Sequence, residues 1–204
     1  MIESELFPIL VLLLLGVALW LLDIGVQNHY LLSVDQKAAE WFHSIRNHRL
    51  DSFFSTVTWM GSLWILLPLY IAIILVFQHY NTSLEKFVGI TFFGTIITTY
   101  ALKYTLNRPR PHFYAMIEEL PLDPSFPSAH SAQIAAFSLG ILLAVHHNGG
   151  LLTLMGIVLG SVCLLVFISR MYLQVHFLTD VLSGILVALI WGVISYSIVR
   201  KGVI

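Results

Sequence analysis

Charge is the scarcest commodity in this sequence. Only 10% of its 204 residues are Asp, Glu, Lys or Arg, against roughly 25% in a soluble domain, so a water-soluble globule is excluded at the outset. A basic excess is missing as well: ten Lys and Arg stand against eleven Asp and Glu, a net charge of -1, with an isoelectric point near 6.7. Without a basic tail or stripe, a nucleic-acid partner is excluded. Cysteine is limited to Cys163, so no intrachain disulfide can form and cysteine usage is silent on redox compartment. No cationic leader with a small-residue cleavage site opens the chain; Glu3 and Glu5 precede the first apolar run, which reads as a retained helix. Repeats and low-complexity stretches are lacking too, and residues 1–204 read as a single domain.

What the chain has in abundance is apolar length, with 58% hydrophobic residues and a mean hydropathy of +0.87. Stretches of about 20 apolar residues, enough for a helix to cross the hydrocarbon core, fall at roughly 6–26, 56–78, 84–106, 128–147, 150–171 and 176–199. Runs such as Ile9 to Leu15 and Ile157 to Ile168 are apolar on every side, unlike the alternating strands of a membrane barrel. The expected fold is an all-α, polytopic membrane protein with six transmembrane helices. Between the first two spans, Val34, Ala38, Phe42 and Ile45 share a helical stripe, with Asp35, Gln36, Glu40, His43 and Asn47 off it. This pattern predicts one interfacial amphipathic helix over residues 33–47, with Trp41 at headgroup depth and Asp51 and Ser52 capping the helix that follows.

Six spans place four termini on one side of the membrane: the end of span three, the start of span four, the end of span five and the start of span six. The unusual polar residues gather there. Lys103, Arg108 and Arg110 end span three; Ser128 and His130 open span four; Ser169 and Arg170 close span five; His176 and Asp180 open span six. Ionisable groups at membrane depth are costly and mark a functional site by default. Four cations beside a helix start at Pro127-Ser128 form a cradle for phosphate, because guanidinium forks match pairs of oxygens and the first helical N–H groups lack partners.

His130, His176 and Asp180 also supply the residue types of a two-histidine, one-carboxylate metal site. The surrounding cations repel a divalent ion and could themselves neutralise a phosphoryl transition state, so neither metal nor cofactor is expected. His176 and Asp180 stand i, i+4, which lets the carboxylate fix the imidazole tautomer and leave the other ring nitrogen free to attack. His130 is placed to protonate a leaving oxygen and then activate water.

The same residues spell a three-part pattern: Lys103, six residues, Arg110-Pro111; then Pro127-Ser128-Ala129-His130; then Ser169-Arg170, five residues, His176, three residues, Asp180. This resembles the type 2 phosphatidic acid phosphatase (PAP2) superfamily of integral membrane lipid phosphatases. The resemblance implies that His176 attacks phosphorus to form a phosphohistidine, that Asp180 orients it, and that His130 is general acid and then base. It implies that Lys103, Arg110, Ser128 and Arg170 hold the phosphoryl oxygens. The family usually has Gly at the position of Ala129; its backbone N–H faces the phosphate, and Ala keeps that N–H and suits the first turn of a helix.

The implied partners are the lipid bilayer and a phospholipid or polyprenyl diphosphate substrate. Undecaprenyl diphosphate, phosphatidylglycerophosphate, phosphatidic acid and a lipid A phosphate are the candidates. Phosphotransfer to an acceptor other than water is the near alternative, and an anionic-lipid transporter or binding protein the distant one. A vanadate-dependent haloperoxidase shares the cradle, but its known members are soluble. Positive-inside counting ties at Lys37, Arg46 and Arg49 against Lys86, Arg200 and Lys201. Resemblance to bacterial members implies an inner (cytoplasmic) membrane location with the site facing the periplasm or cell exterior. Arg108 reads as facing headgroups, with substrate contact as the alternative; Glu118, Glu119 and Asp123 read as a solvated loop face, with the rim of the substrate entrance as the alternative; His146 and His147 read as turn residues.

Overall fold

The computed structural model describes residues 2–77, 82–114 and 121–200. Its elements are α1 (Ile2–Gln27), α2 (Leu32–Ser44), α3 (His48–Val57), a 3-10 turn (Thr58–Gly61), α4 (Leu63–Phe77), α5 (Thr82–Leu106), α6 (Ala129–Val145), α7 (Gly149–Tyr172) and α8 (Leu178–Arg200). No strand occurs among the described residues, and the architecture is all-α.

Among the described residues, four helical segments are long and apolar enough to cross a membrane: Leu6–Gln27, Ser83–Leu106, Gly149–Tyr172 and Leu178–Arg200. His48–Gly61 and Leu63–Val76, bent by 43° at their junction, make a fifth if counted together. The stretch 56–78, expected as one helix, is therefore divided between two helical segments. Pro68 is not the cause, for it sits inside α4. The chain turns at Ser62, whose backbone is extended (φ -78°, ψ 141°) and whose hydroxyl accepts the Trp64 N–H at 3.2 Å to restart the helix. Beside it, a Cβ added to Gly61 would lie 2.7 Å from Val166 Cγ1 and 3.0 Å from the His130 carbonyl oxygen. The break is thus wedged against α7 and the start of α6.

A helix does form over Leu32–Ser44, but its protein-facing residues are Asp35, Ala39 and Phe42. Of the expected stripe only Phe42 is buried, while Val34 and Ile45 are exposed alongside Trp41. Asp35, expected off the apolar stripe among the solvated residues, instead faces inward in an ion pair described below. Capping of α3 also differs from expectation: Asn47 Oδ1 accepts the Leu50 N–H at 3.1 Å, and Asp51 lies in the first turn, where it accepts the Tyr172 hydroxyl at 2.7 Å.

α6 is surrounded by α5, α7 and α8, and α1 lies along α8. Phe92 and Phe137 meet edge to face at 5.6 Å in a core that also buries Leu66, Val88 and Val166. Outward faces stay apolar: Leu10, Leu13 and Leu14 on α1 are exposed, an arrangement that hydrocarbon solvates and water would not. Close helix approach depends on small residues. A Cβ at Gly140 would fall 2.6 Å from the Val88 Cα, so α5 and α6 touch backbone to backbone there. Gly140→Ala is expected to lower the melting temperature in detergent despite alanine's better helix propensity, by an overpacking cost of roughly 1–3 kcal/mol; a raised melting temperature would contradict this packing.

Candidate active site

The end of α5, the start of α6 and the turn joining α7 to α8 converge with the segment that follows α5. Each is shaped locally. Ser128 is the N-cap of α6, with its hydroxyl accepting from the Ser131 N–H at 3.5 Å and the Ser131 hydroxyl at 3.0 Å. Ala129 opens the helix and is absent from the non-glycine residues of positive φ, which are His29, Asn107 and Gln174, so this position does not demand glycine. In the α7–α8 turn, Gln174 adopts φ 59°, and the Arg170 carbonyl accepts the Val175 and His176 N–H groups at 3.3 and 3.2 Å. The chain reversal brings His176 beside Arg170.

Tyr100, Arg110, Ala129, His130, Gln133, Arg170 and His176 contribute to the wall of a cavity of about 250 Å³, with Asp123 and Trp64 at its margin. Lys103, Ser128 and Asp180 stand directly behind this wall. Lys103 is completely buried; its ammonium donates to the Pro124 carbonyl and pairs with Asp123 at 2.8 Å. The Ser128 N–H donates to the Asp180 carbonyl oxygen at 2.9 Å. Arg170 donates from Nη1 to the Thr58 hydroxyl at 2.5 Å, so the 3-10 turn at the span break fixes one wall.

Arg110 lies between the loop and the histidine. Its Nη1 donates to the Val175 carbonyl at 2.9 Å and sits 3.2 Å from His176 Nε2. Its Nη2 pairs with Asp123 at 2.8 Å. On the other edge of the imidazole, Nδ1 is 3.3 Å from Asp180 Oδ2. Burial, and after it the positive charge of Arg110, holds the His176 imidazole well below its usual 6.5, so the ring is neutral at neutral pH. Asp123 is pulled the other way by two forces: burial would raise its carboxyl, but the Lys103 ammonium and then Arg110 outweigh it and hold the group below its usual value.

Asp123 was expected on a solvated loop face, and Arg108 among headgroups. Instead, the Asp123 carboxylate bridges Lys103 and Arg110, the two cations expected to receive phosphate oxygens. Arg108 turns inward to pair with Asp180 at 2.5 Å and Asp35 at 2.7 Å. Ser125, which the sequence did not single out, donates its hydroxyl to Asp180. Arg108 was legible only as one of the cations gathered at the end of span three, and no local pattern tied it to Asp180 or Asp35. Glu118 and Glu119 lie outside the described residues. Among the described residues, no three His, Cys, Asp or Glu side chains converge as metal ligands would.

A helical membrane chain with a cation-lined cavity where its helices converge defines a class of protein that meets phosphate-bearing groups within the bilayer's reach. The family model of the PAP2 superfamily matches residues 84–203, and the chain belongs to that superfamily. It is 30% identical over 169 residues to phosphatidylglycerophosphatase B of Bacillus subtilis (strain 168), covering 80% of this chain and 82% of that protein. It is 29% identical over 122 residues to the undecaprenyl-diphosphatase BcrC of the same organism, covering 57% and 60% of the two chains. The crystal structure of a transmembrane PAP2-type phosphatidylglycerolphosphate phosphatase from Bacillus subtilis superimposes with a TM-score of 0.82 at 26% identity, over 93% of this chain and 96% of that one. This protein is an integral membrane hydrolase of the lipid phosphatase kind.

Proposed function

We propose that this protein releases phosphate from a lipid phosphomonoester or polyprenyl diphosphate through a phosphohistidine at His176, without a metal ion. The observation that carries this reading is the fixing of one neutral imidazole between Asp180 at Nδ1 and Arg110 at Nε2, on the wall of the cation-lined cavity. The Arg110 N–H can only donate, so Nε2 carries the lone pair and Nδ1 the proton; when the phosphoryl oxygens draw Arg110 to themselves, that lone pair is released toward phosphorus. As the N–P bond forms and the P–O bond to the lipid breaks, His130 gives its proton to the departing oxygen. His130 then takes a proton from water, whose oxygen attacks phosphorus, breaks the N–P bond and restores His176. Lys103, Arg110, Arg170, Ser128 and the first N–H groups of α6, including that of Ala129, hold the charge that builds on the phosphoryl oxygens. The Asp123 carboxylate engages two of these cations, and a phosphate group would exchange with it.

The names of the two relatives favour phosphatidylglycerophosphate and undecaprenyl diphosphate over phosphatidic acid and a lipid A phosphate. We read the chain as one domain crossing an inner (cytoplasmic) membrane six times, with the bent pair as one crossing and α6 as another, and with the cavity toward the periplasm or cell exterior. The 17 residues of α6 rise roughly 26 Å, less than the hydrocarbon core of about 30 Å; its N-terminus therefore opens below the membrane surface, where a lipid headgroup enters while its tail stays among the helices. The exposed Trp41, Trp59 and Trp64 and α2 supply interfacial anchors.

Phosphate release by the purified protein in detergent with EDTA, across those four lipids and one soluble phosphate ester, tests the reading. Metal-free release supports it and ranks the substrates. Release abolished by EDTA would overturn the metal-free mechanism, and a phosphorylated lipid product in place of free phosphate would make the protein a phosphotransferase.

His176 also gives the fold a pH dependence. As pH falls through about 6.5, histidines of the unfolded chain take up protons, whereas folded His176 does not until lower pH. Its contribution to stability is thus fully present above that value and is lost as pH falls below it. Between about pH 7 and pH 5, the melting temperature of the wild type is expected to fall more steeply than that of His176→Asn; parallel slopes would contradict a buried neutral imidazole.

A further inference from the structure

Behind the cavity lies an ion-pair system of which the mechanism above uses only Asp180. Asp180 Oδ1 accepts from Arg108 Nη1 at 2.5 Å. Its Oδ2 accepts from the Phe177 N–H at 2.9 Å and from the Ser125 hydroxyl, and lies 3.3 Å from His176 Nδ1. The other arm of Arg108, Nη2, reaches Asp35 Oδ2 at 2.7 Å, and its guanidinium lies over the Phe177 ring at 4.0 Å. Asp35 comes from the interfacial helix α2, yet it is 1% exposed and Asp180 is fully buried. Thr179 closes the circuit: its N–H and hydroxyl donate to Asp35 at 3.0 and 2.8 Å, and its hydroxyl accepts from Arg108 Nη1 at 2.8 Å.

We infer that Arg108 and Asp35 are positioning residues for phosphoryl transfer, holding Asp180 as an acceptor so that His176 keeps its proton on Nδ1 and presents Nε2 to phosphorus. The inference rests on the phosphohistidine reading above. A guanidinium and a backbone N–H can only donate, so both oxygens of Asp180 are supplied with donors and the histidine edge faces an acceptor. Were Asp180 to donate a proton to Nδ1, the ring's own proton would move to Nε2 and block attack. Arg108 can serve two carboxylates at once because its fork presents separate arms, which the single ammonium of a lysine does not. Asp35 in turn fixes the direction of that fork, and through it α2 is fastened to the catalytic pair.

A plain structural clamp would look the same in a static structure, so the test must separate folding from catalysis. Arg108→Gln strands two buried carboxylates and is expected to lower stability. Adding Asp35→Asn removes one stranded charge, so the double variant should melt nearer the wild type than Arg108→Gln alone does. Positioning predicts that kcat of the double variant nevertheless falls by about ten- to a hundredfold. Its inhibition constant for inorganic phosphate should stay within about threefold of wild type, because ground-state binding of the anion is untouched. Arg108→Lys should give an intermediate kcat. A double variant with near-wild-type melting and kcat within about twofold of wild type would reduce the pair to a clamp. So would a parallel loss of kcat, phosphate binding and stability across the variants. His176→Ala, measured alongside, keeps the two readings apart: if it remains active the phosphohistidine mechanism fails, whereas if it is dead and the double variant is fully active only the positioning role fails.

Discussion

His176→Ala is expected to abolish phosphate release while leaving the helix bundle folded. The substitution removes the atom that would form the bond to phosphorus, and losses on the order of 10⁴-fold or more accompany removal of a covalent nucleophile. Little of the fold depends on the ring. Asp180 keeps Arg108, Ser125 and the Phe177 N–H as donors, and Arg110 keeps Asp123 and the Val175 carbonyl. Helical circular dichroism and the elution position in detergent should match the wild type. Near-normal turnover in a folded His176→Ala protein would remove the nucleophile from the account.

His130→Ala should slow the enzyme by about a hundredfold or more, through both chemical steps. His130 lies in the first turn of α6 and lines the same cavity as His176, where it can reach the oxygen side of a phosphoryl group held by Arg110 and Arg170. In the proposed mechanism it would assist departure of the lipid oxygen as acid and, as base, activate the water that clears the intermediate. Rapid-quench measurements should therefore show slower formation and slower decay of labelled enzyme. A variant that forms the intermediate at the wild-type rate and stalls only at hydrolysis would confine His130 to the second step.

The long helices were legible because membrane spans are written in a single quantity, the length of an apolar run. α1, α5, α7 and α8 each pass that test, and hydropathy alone suffices to find them. It could not reveal the break at Ser62, because the surrounding Trp59, Met60, Gly61 and Leu63 are as apolar as an unbroken helix would be. The break depends on the meeting of Gly61 with Val166 and the His130 carbonyl, a contact between distant parts of the chain. The inward turn of Asp35 on α2 was illegible for a related reason. Amphipathic analysis assigns charge to solvent, but Asp35 finds Arg108 73 residues away and turns inward. Asp123 was likewise read as solvated because its cations, Lys103 and Arg110, are matched to it only by the path of the loop. Residue types and spacing supplied the candidate site residues; the ion pairs that connect them are tertiary facts that no local pattern carries.

The direct test of the central claim is to quench the enzyme under alkaline conditions during turnover of a lipid substrate labelled in its phosphate, digest it, and map the labelled peptide by mass spectrometry. The account predicts an acid-labile, base-stable phosphoramidate on His176, formed in the presence of EDTA and absent from His176→Ala. Label on another residue, or rapid turnover with no covalent label in either wild type or His130→Ala, would contradict it.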